Sequence, residues 1–332
     1  MLVQRLLQGD RRAVARLISL VEDGDSRAYR YLTELYPHTG RAHIIGVTGA
    51  PGTGKSSLVS ALAKVERRRG RTVGIISVDP TSPFTGGALL GDRIRMQDLT
   101  ADRGVFIRSM ASRGRVGGLA AATTDAVRVL DAFGKDKIFV ETVGAGQAEV
   151  DIAKTAHTTI VVEAPGLGDE IQAFKAGVLE IADVFVVNKA DRDGADKTVN
   201  ALRAMLDLGT PIRARDGQAG DWRPPILKTI AIEEKGVEPL ADELERHLAY
   251  LKSGDHLAAR ERERVADELE TLLARELLAD CLHRLGSDRI AQIVEQIANR
   301  ALDPHSAAQL LARSADGIPV EGSAPTPAEA RH

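Results

Sequence analysis

Gly49, Ala50, Pro51, Gly52, Thr53, Gly54, Lys55 and Ser56 satisfy the pattern G-x-x-x-x-G-K-[ST], with a β-rich run before them and a helical pattern after. In such a loop the glycines let backbone N–H groups turn inward around phosphate oxygens. Lys55 adds a point charge at the β/γ position, and Ser56, followed by Ser57, offers a hydroxyl to Mg²⁺. The segment predicts a nucleoside triphosphate site; the alternative is a glycine-rich strand-to-helix turn without a ligand.

The base is read from Asn188, Lys189, Ala190 and Asp191, which follow the apolar run Val184 to Val187. This places a carboxylate just beyond a buried strand, where ligands of open α/β sheets bind. Guanine presents a ring N–H and an exocyclic amine that Asp191 can accept, whereas adenine presents a lone pair at the equivalent ring nitrogen and leaves a buried carboxylate without partners. Lys189 would lay its stem on the ring, and Asn188 would tie the base loop to the phosphate loop. Thr229, Ile230 and Ala231, ending the next strand, would complete the pocket through backbone N–H groups. Alone, N-K-x-D also reads as a turn followed by a helix cap.

Three acidic residues fall between these motifs. Asp79 ends a β-rich run and precedes Pro80, Asp92 follows the Thr85-Gly86-Gly87 stretch, and Glu141 begins Glu-Thr-Val-Gly where a Ras-like GTPase would have Asp-x-x-Gly. Glu141 could hold Mg²⁺ through a water and the Gly144 N–H could sense the γ-phosphate. For each carboxylate the alternative is a cap or turn role. Ala145 rather than glutamine follows Gly144, Gln147 comes later, and the water-orienting residue is not identified. Arg93 and Arg95 could serve the transition state or be solvated loop arginines.

The elements that must position these groups are legible as seven β-rich runs alternating with helical stretches: Ile44–Thr48, Thr72–Asp79, Val105–Met110, Lys137–Thr142, Thr158–Glu163, Val184–Asn188 and Ile226–Ala231. They predict an α/β fold, a mostly parallel sheet with helices on both faces. Leu2, Leu6, Val14, Leu17, Ile18 and Val21 predict two or three amphipathic helices ahead of it. Residues 1–40 are thus read as an N-terminal helical extension, 41–250 as the nucleotide domain, 251–321 as a C-terminal helical extension and 322–332 as a flexible tail. In the C-terminal extension Val265, Leu269, Leu272, Leu273, Leu277 and Leu285 form an apolar stripe that either packs on the core or makes a dimer.

The chain has 332 residues, 44 Lys and Arg against 47 Asp and Glu, and a net charge of −3, which supplies no basic field for nucleic acid. No apolar run approaches about 20 residues, so no bilayer span is expected. Cys281, the single cysteine, fits a reducing compartment, and cytoplasm is the expected location. The opening segment carries four arginines but also Asp10, and is read as a helix of the mature protein rather than a targeting signal.

Taken together the motifs resemble the methylmalonyl-CoA-mutase-associated GTPases (MeaB, MMAA or ArgK), of the metallochaperone-type P-loop GTPases. The resemblance is carried by Gly46 to Ser57, Asp79 to Met96, Glu141 to Gln147, Pro165 to Gln172 and Asn188 to Asp191, and it runs over essentially the whole chain except its last residues. It implies a P-loop NTPase fold and a homodimeric chaperone. Such a protein uses GTP, Mg²⁺ and hydrolysis to GDP to gate delivery of adenosylcobalamin to a cobalamin-dependent acyl-CoA mutase, and to protect or reactivate that mutase. The cobalamin belongs to the mutase, and a cobalamin adenosyltransferase is a further implied partner. Lys55 and Ser56 match the phosphate ligands, and Asp79, Asp92 and Glu141 the acidic magnesium positions. Asp169, Glu170, Gln172 and Lys175 match the polar members of a switch that communicates with the mutase; the alternative is a helix N-terminus. Ile230 departs from the serine many GTPases have before the base-pocket alanine, and Leu167 from a smaller residue in some members.

Two rival functions remain. A nickel or cobalt metallochaperone should carry a His-rich tract or clustered Cys and His ligands, whereas the eight histidines here are scattered. A P-loop kinase linked to amino-acid transport would need a base and an acceptor pocket beside the γ-phosphate. A nucleotide-controlled binding module differs from the favoured reading only in emphasis.

Overall fold

A computed structural model describes residues 2–79, 96–111, 118–142, 154–166, 181–208 and 222–315. Seven strands, β1 (His43–Thr48), β2 (Val73–Asp79), β3 (Val105–Ala111), β4 (Lys137–Thr142), β5 (Thr158–Glu163), β6 (Val184–Val187) and β7 (Ile226–Lys228), form one sheet in the order β3-β2-β4-β1-β5-β6-β7. Every neighbouring pair is parallel. The chain leaves β1 for β2 on one side and returns across it from β4 to β5 on the other, so the reversal of strand order falls at the carboxyl end of β1, where open α/β sheets bind ligands.

The central strands are buried on both faces, which is why they read as continuous apolar runs rather than alternating ones. Ahead of the sheet lie α1 (Leu2–Leu7), α2 (Arg11–Glu22) and α3 (Ser26–Leu35). Asp10 caps α2 by accepting from the Arg12 and Ala13 N–H groups, and Asp25 caps α3 by accepting from Arg27 N–H. Beyond β1 come α4 (Lys55–Arg68), α5 (Gln97–Thr100), α6 (Gly118–Ala132), α7 (Ala195–Leu208) and α8 (Val237–Lys252). Leu58, Val59 and Leu62 of α4 with Leu240 and Leu244 of α8 cover one sheet face, over Ile45, Val47, Ile75 and Phe139. The other face, with Ile44, Ile76 and Val140, is covered by Val14, Leu17 and Ile18 of α2 and Val127 and Leu130 of α6. The predicted last strand stops early, at Lys228. Ile230 instead bridges to Lys235, and Ala231–Glu233 turn as a 3₁₀ segment.

At the amino edge of the sheet the strands are joined by a buried polar chain. Lys137 Nζ, also bonded to Glu245, donates to His43 Nδ1 at 2.9 Å. His43 Nε2 and His247 Nδ1 each lie 2.8 Å from Thr158 Oγ1, and His247 Nε2 faces Asp183 Oδ1 at 3.4 Å. Burial, and then Lys137, hold the His43 imidazole well below its ordinary value.

Contacts divide the chain into two compact units, residues 1–261 and 262–332. The first contains the sheet. Most of α9 (His256–Ala298) and all of α10 (Pro304–Ala315) belong to the second, and Gly286 interrupts α9 with φ 73° and ψ 156°. Leu269, Leu273, Leu277 and Leu278 of α9 are each more than half exposed. Among the described residues no helix is long and apolar enough to cross a membrane.

Candidate functional site

The phosphate loop leaves β1 at Thr48 and enters α4 at Lys55. Gly49 has φ 139°, and a Cβ there would stand 2.1 Å from the Val162 carbonyl of β5, so only glycine lets the loop pass this strand. Gly54 caps α4 in the left-handed region at φ 93°, and a Cβ there would meet Asn188 Nδ2 at 2.5 Å. Thr53 is buried and its hydroxyl donates to the Ala50 carbonyl at 2.9 Å, closing the turn over Pro51 and Gly52, which are exposed. Lys55, on the first turn of α4, donates from Nζ to the Gly49 carbonyl at 2.7 Å and the Ala50 carbonyl at 3.1 Å. Its ammonium is thereby folded over the loop. Ser57 follows on the same helix, half-buried.

Ser56 Oγ donates to Glu141 Oε1 at 2.5 Å. Glu141 is 1% exposed, near the end of β4, with Val47 of β1 and Ser77 of β2 as its register partners. A hydroxyl at the first turn of the helix and a carboxylate from the adjacent strand therefore share one buried spot. Both are hard oxygen donors of the kind Mg²⁺ takes. Asp79 is the last residue of β2, opposite Ala111, at this same sheet edge. Asp92, Gly144, Asp169, Glu170, Gln172 and Lys175 lie outside the described residues.

The base loop is attached directly to the phosphate loop. Asn188 Nδ2 donates to the Thr53 carbonyl at 2.9 Å, while its Oδ1 accepts from Thr229 Oγ1 and from Ala231 N–H, both at 3.1 Å. Lys189, at φ 56°, reaches over and donates from Nζ to the Gly52 carbonyl at 2.6 Å. Asp191 is exposed, because it stands on the turn after β6 rather than within the strand. Its charge helps hold the Lys235 ammonium above its ordinary range, behind the larger effect of Glu233. The backbone N–H groups of Thr229, Ile230 and Ala231 donate to the Val187 carbonyl, the Lys235 carbonyl and Asn188 Oδ1 respectively. A base meeting this loop through Ala231 therefore shares or displaces a bond to Asn188.

Sequence reasoning passed over Ser77, which is 2% exposed and lies in register beside Glu141. The available signal was a hydroxyl interrupting the apolar run from Val73 to Val78.

A family model described as methylmalonyl Co-A mutase-associated GTPase MeaB matches residues 14–284. The chain belongs to this family of GTPases. Among MeaB relatives, a Pyrococcus horikoshii protein carried under a provisional GTPase name is 52% identical over 93% of this chain and 96% of its own. GTPase ArgK of Escherichia coli (strain K12) is 36% identical over 72% of each chain. The Mus musculus protein named methylmalonic aciduria type A homolog, mitochondrial, is 28% identical over 93% of this chain and 77% of that one. The crystal structure of LAO/AO transport system kinase shares the fold, with a TM-score of 0.69 at 25% identity over 95% of this chain and 96% of that one. This MeaB-family protein is thus a GTP hydrolase and binds guanine nucleotide.

Proposed function

We propose that this GTPase serves an adenosylcobalamin-dependent acyl-CoA mutase of the methylmalonyl-CoA mutase type, gating delivery of the cofactor and protecting or reactivating the mutase. The observation that carries the reading is that the Ser56–Glu141 pair and the Asn188-tied base loop share one sheet edge, inside the residues matched by a mutase-associated family model. The name of the mouse relative, which refers to methylmalonic aciduria, supports the same partner class.

In this reading the loop from Gly49 to Ser56 cradles the phosphates, Lys55 turns from the loop carbonyls toward the β/γ oxygens, and Asp191 accepts the guanine ring N–H and amine. Ser56 and Glu141, with Asp79 and Asp92, would hold Mg²⁺, which supplies positive charge to the β- and γ-phosphate oxygens. Glu141 accepts the hydrogen bond from the Ser56 hydroxyl and so aims the hydroxyl lone pairs away from itself. Gly144 and Asp92 respond to the γ-phosphate, and Asp169, Glu170, Gln172 and Lys175 pass that response to the mutase surface. The exposed leucines of α9 support a homodimer through residues 251–321, and residues 41–250 are read as the GTPase domain.

The test is GTP hydrolysis by the purified protein, alone and with such a mutase titrated in, with ATP as control. Turnover of GTP raised several-fold by the mutase, with ATP inert, supports the proposal. GTP turnover that no such mutase changes removes the chaperone role and leaves the GTPase. Because the structural neighbour is named a transport system kinase, phosphate transfer is the competing outcome, recognised by labelled phosphate arriving on protein or amino acid instead of in water.

A further inference from the structure

Side chains on β2 alternate between the two sheet faces, and Val73 and Ile75 belong to the cluster under α4. Ser77 continues that row toward the phosphate edge and is 2% exposed. Its register partners are Glu141 in β4 and Ser109 in β3, so Val47, Glu141, Ser77 and Ser109 make one transverse row across four strands. On the β1 flank Glu141 meets Val47, which has no polar group. On the β2 flank it meets a serine.

Among the described residues, the hydroxyls of Ser77 and Ser109 are buried and make no hydrogen bond. A buried hydroxyl without a partner is destabilising, and alanine fits the same backbone without that cost. Adjacent strands lie about 4.7–4.9 Å apart, a span that a serine hydroxyl and a glutamate carboxylate bridge directly or with one water between them.

We propose that Ser77 is a positioning residue for Glu141, orienting its carboxylate toward the cation that Ser56 and Glu141 hold. The inference rests on the magnesium reading above. Ser56 donates to one carboxylate oxygen from α4, and Ser77, which makes no direct bond to Glu141, stands on the opposite flank where its hydroxyl would donate through one water, so that two hydroxyls on different elements would fix the carboxylate plane. Outer-shell partners of this kind tune a metal site without touching the metal.

The test compares wild type, Ser77→Ala, Ser77→Thr and Glu141→Gln by titrating Mg²⁺ into the protein with a fluorescent GDP analogue, and by melting the nucleotide-free protein. Ser77→Ala is expected to raise the Mg²⁺ midpoint about tenfold. Binding of the analogue in EDTA should stay unchanged, and the melting temperature of the nucleotide-free protein should stay level or rise. Ser77→Thr, which keeps the hydroxyl, should restore the midpoint. A Ser77→Ala midpoint equal to wild type, with Glu141→Gln shifted, overturns the role of Ser77 and leaves the magnesium reading standing. A wild-type analogue affinity indifferent to Mg²⁺ overturns both together. A lowered melting temperature at an unchanged midpoint assigns Ser77 to packing alone.

Discussion

The Asn188 side-chain amide donates to the Thr53 carbonyl at 2.9 Å, joining two loops 135 residues apart in the chain. The same side chain accepts from Thr229 and Ala231, so one buried amide holds the phosphate loop, the base loop and the segment after β7 in a single arrangement. Asn188→Ala leaves these groups without it, and each buried group so orphaned costs about 1–3 kcal/mol. The expected result is a lower melting temperature together with weaker guanine-nucleotide binding. Asn188→Asp should be worse than alanine, because it turns a carboxylate oxygen toward the Thr53 carbonyl in a buried site.

Base choice is tested at Asp191, whose exposure leaves it open to a ligand edge. Xanthine carries a carbonyl where guanine has its amine, so an amide in place of the carboxylate donates where the carboxylate accepted. Asp191→Asn is expected to weaken GTP by about 100-fold or more and to bring XTP to comparable or better affinity. Parallel binding curves for the two nucleotides check it. Retention of full GTP affinity would remove Asp191 from the base contact.

Much of the sheet is legible because its strands are short, β-branched and buried on both faces: Lys137–Thr142 and Thr158–Glu163 read from sequence with their observed ends. The last strand reads too long, since Thr229 to Ala231 look like more of the same β-rich run. Their backbone is instead taken by bonds to Val187 and Asn188, far away in the chain, and to Lys235 in the following turn. Chemistry carried by a local pattern, as from Gly49 to Ser56, can be read along the chain. The pairing of Ser77 with Glu141 cannot, because register between β2 and β4 is fixed by tertiary packing across 64 residues of chain. The apolar strand before Asp191 suggests a buried carboxylate, but the turn at Lys189, with φ 56°, carries it out to solvent.

Lys135 offers a test at alkaline pH. It is 5% exposed, its Nζ donates to the Gly104 carbonyl at 2.9 Å, and burial, reinforced by Arg11 and Arg67, pushes its ammonium down to about 8 from an ordinary 10.5. Between these values the unfolded chain holds the proton and the folded chain does not, so the linkage makes stability rise with pH, by up to about 1.4 kcal/mol per unit. Lys135→Met lacks this contribution. Denaturant titrations at pH 7.5, 9 and 10 should show wild type gaining on the variant at each step, and a constant difference would mean that Lys135 titrates normally.

The polar chain at the amino edge makes a prediction about proton positions. The Lys137 ammonium has donors only, so His43 Nδ1 must accept and His43 Nε2 carries the hydrogen given to Thr158 Oγ1. Thr158 keeps its own hydrogen, and donation of it onward to His247 Nδ1 places the second imidazole hydrogen on Nε2, facing Asp183. His43 is therefore expected as a neutral Nε2–H tautomer at pH 7, and His247 with its hydrogen on Nε2 and Nδ1 accepting, readable from nitrogen-15 shifts. Acid breaks this polarity: the folded His43 value lies well below the ordinary 6.5, so below pH 6.5 the unfolded chain binds a proton that the folded chain refuses. Stability attributable to His43 should fall as pH drops from about 6.5. Thr158→Val removes the central hydroxyl and should cost about 1–3 kcal/mol at pH 7 by leaving two imidazole nitrogens without it, whereas Thr158→Ser should cost much less. An Nδ1–H signal from either ring, or equal losses from valine and serine, would show that the hydrogen bonds do not run in this direction.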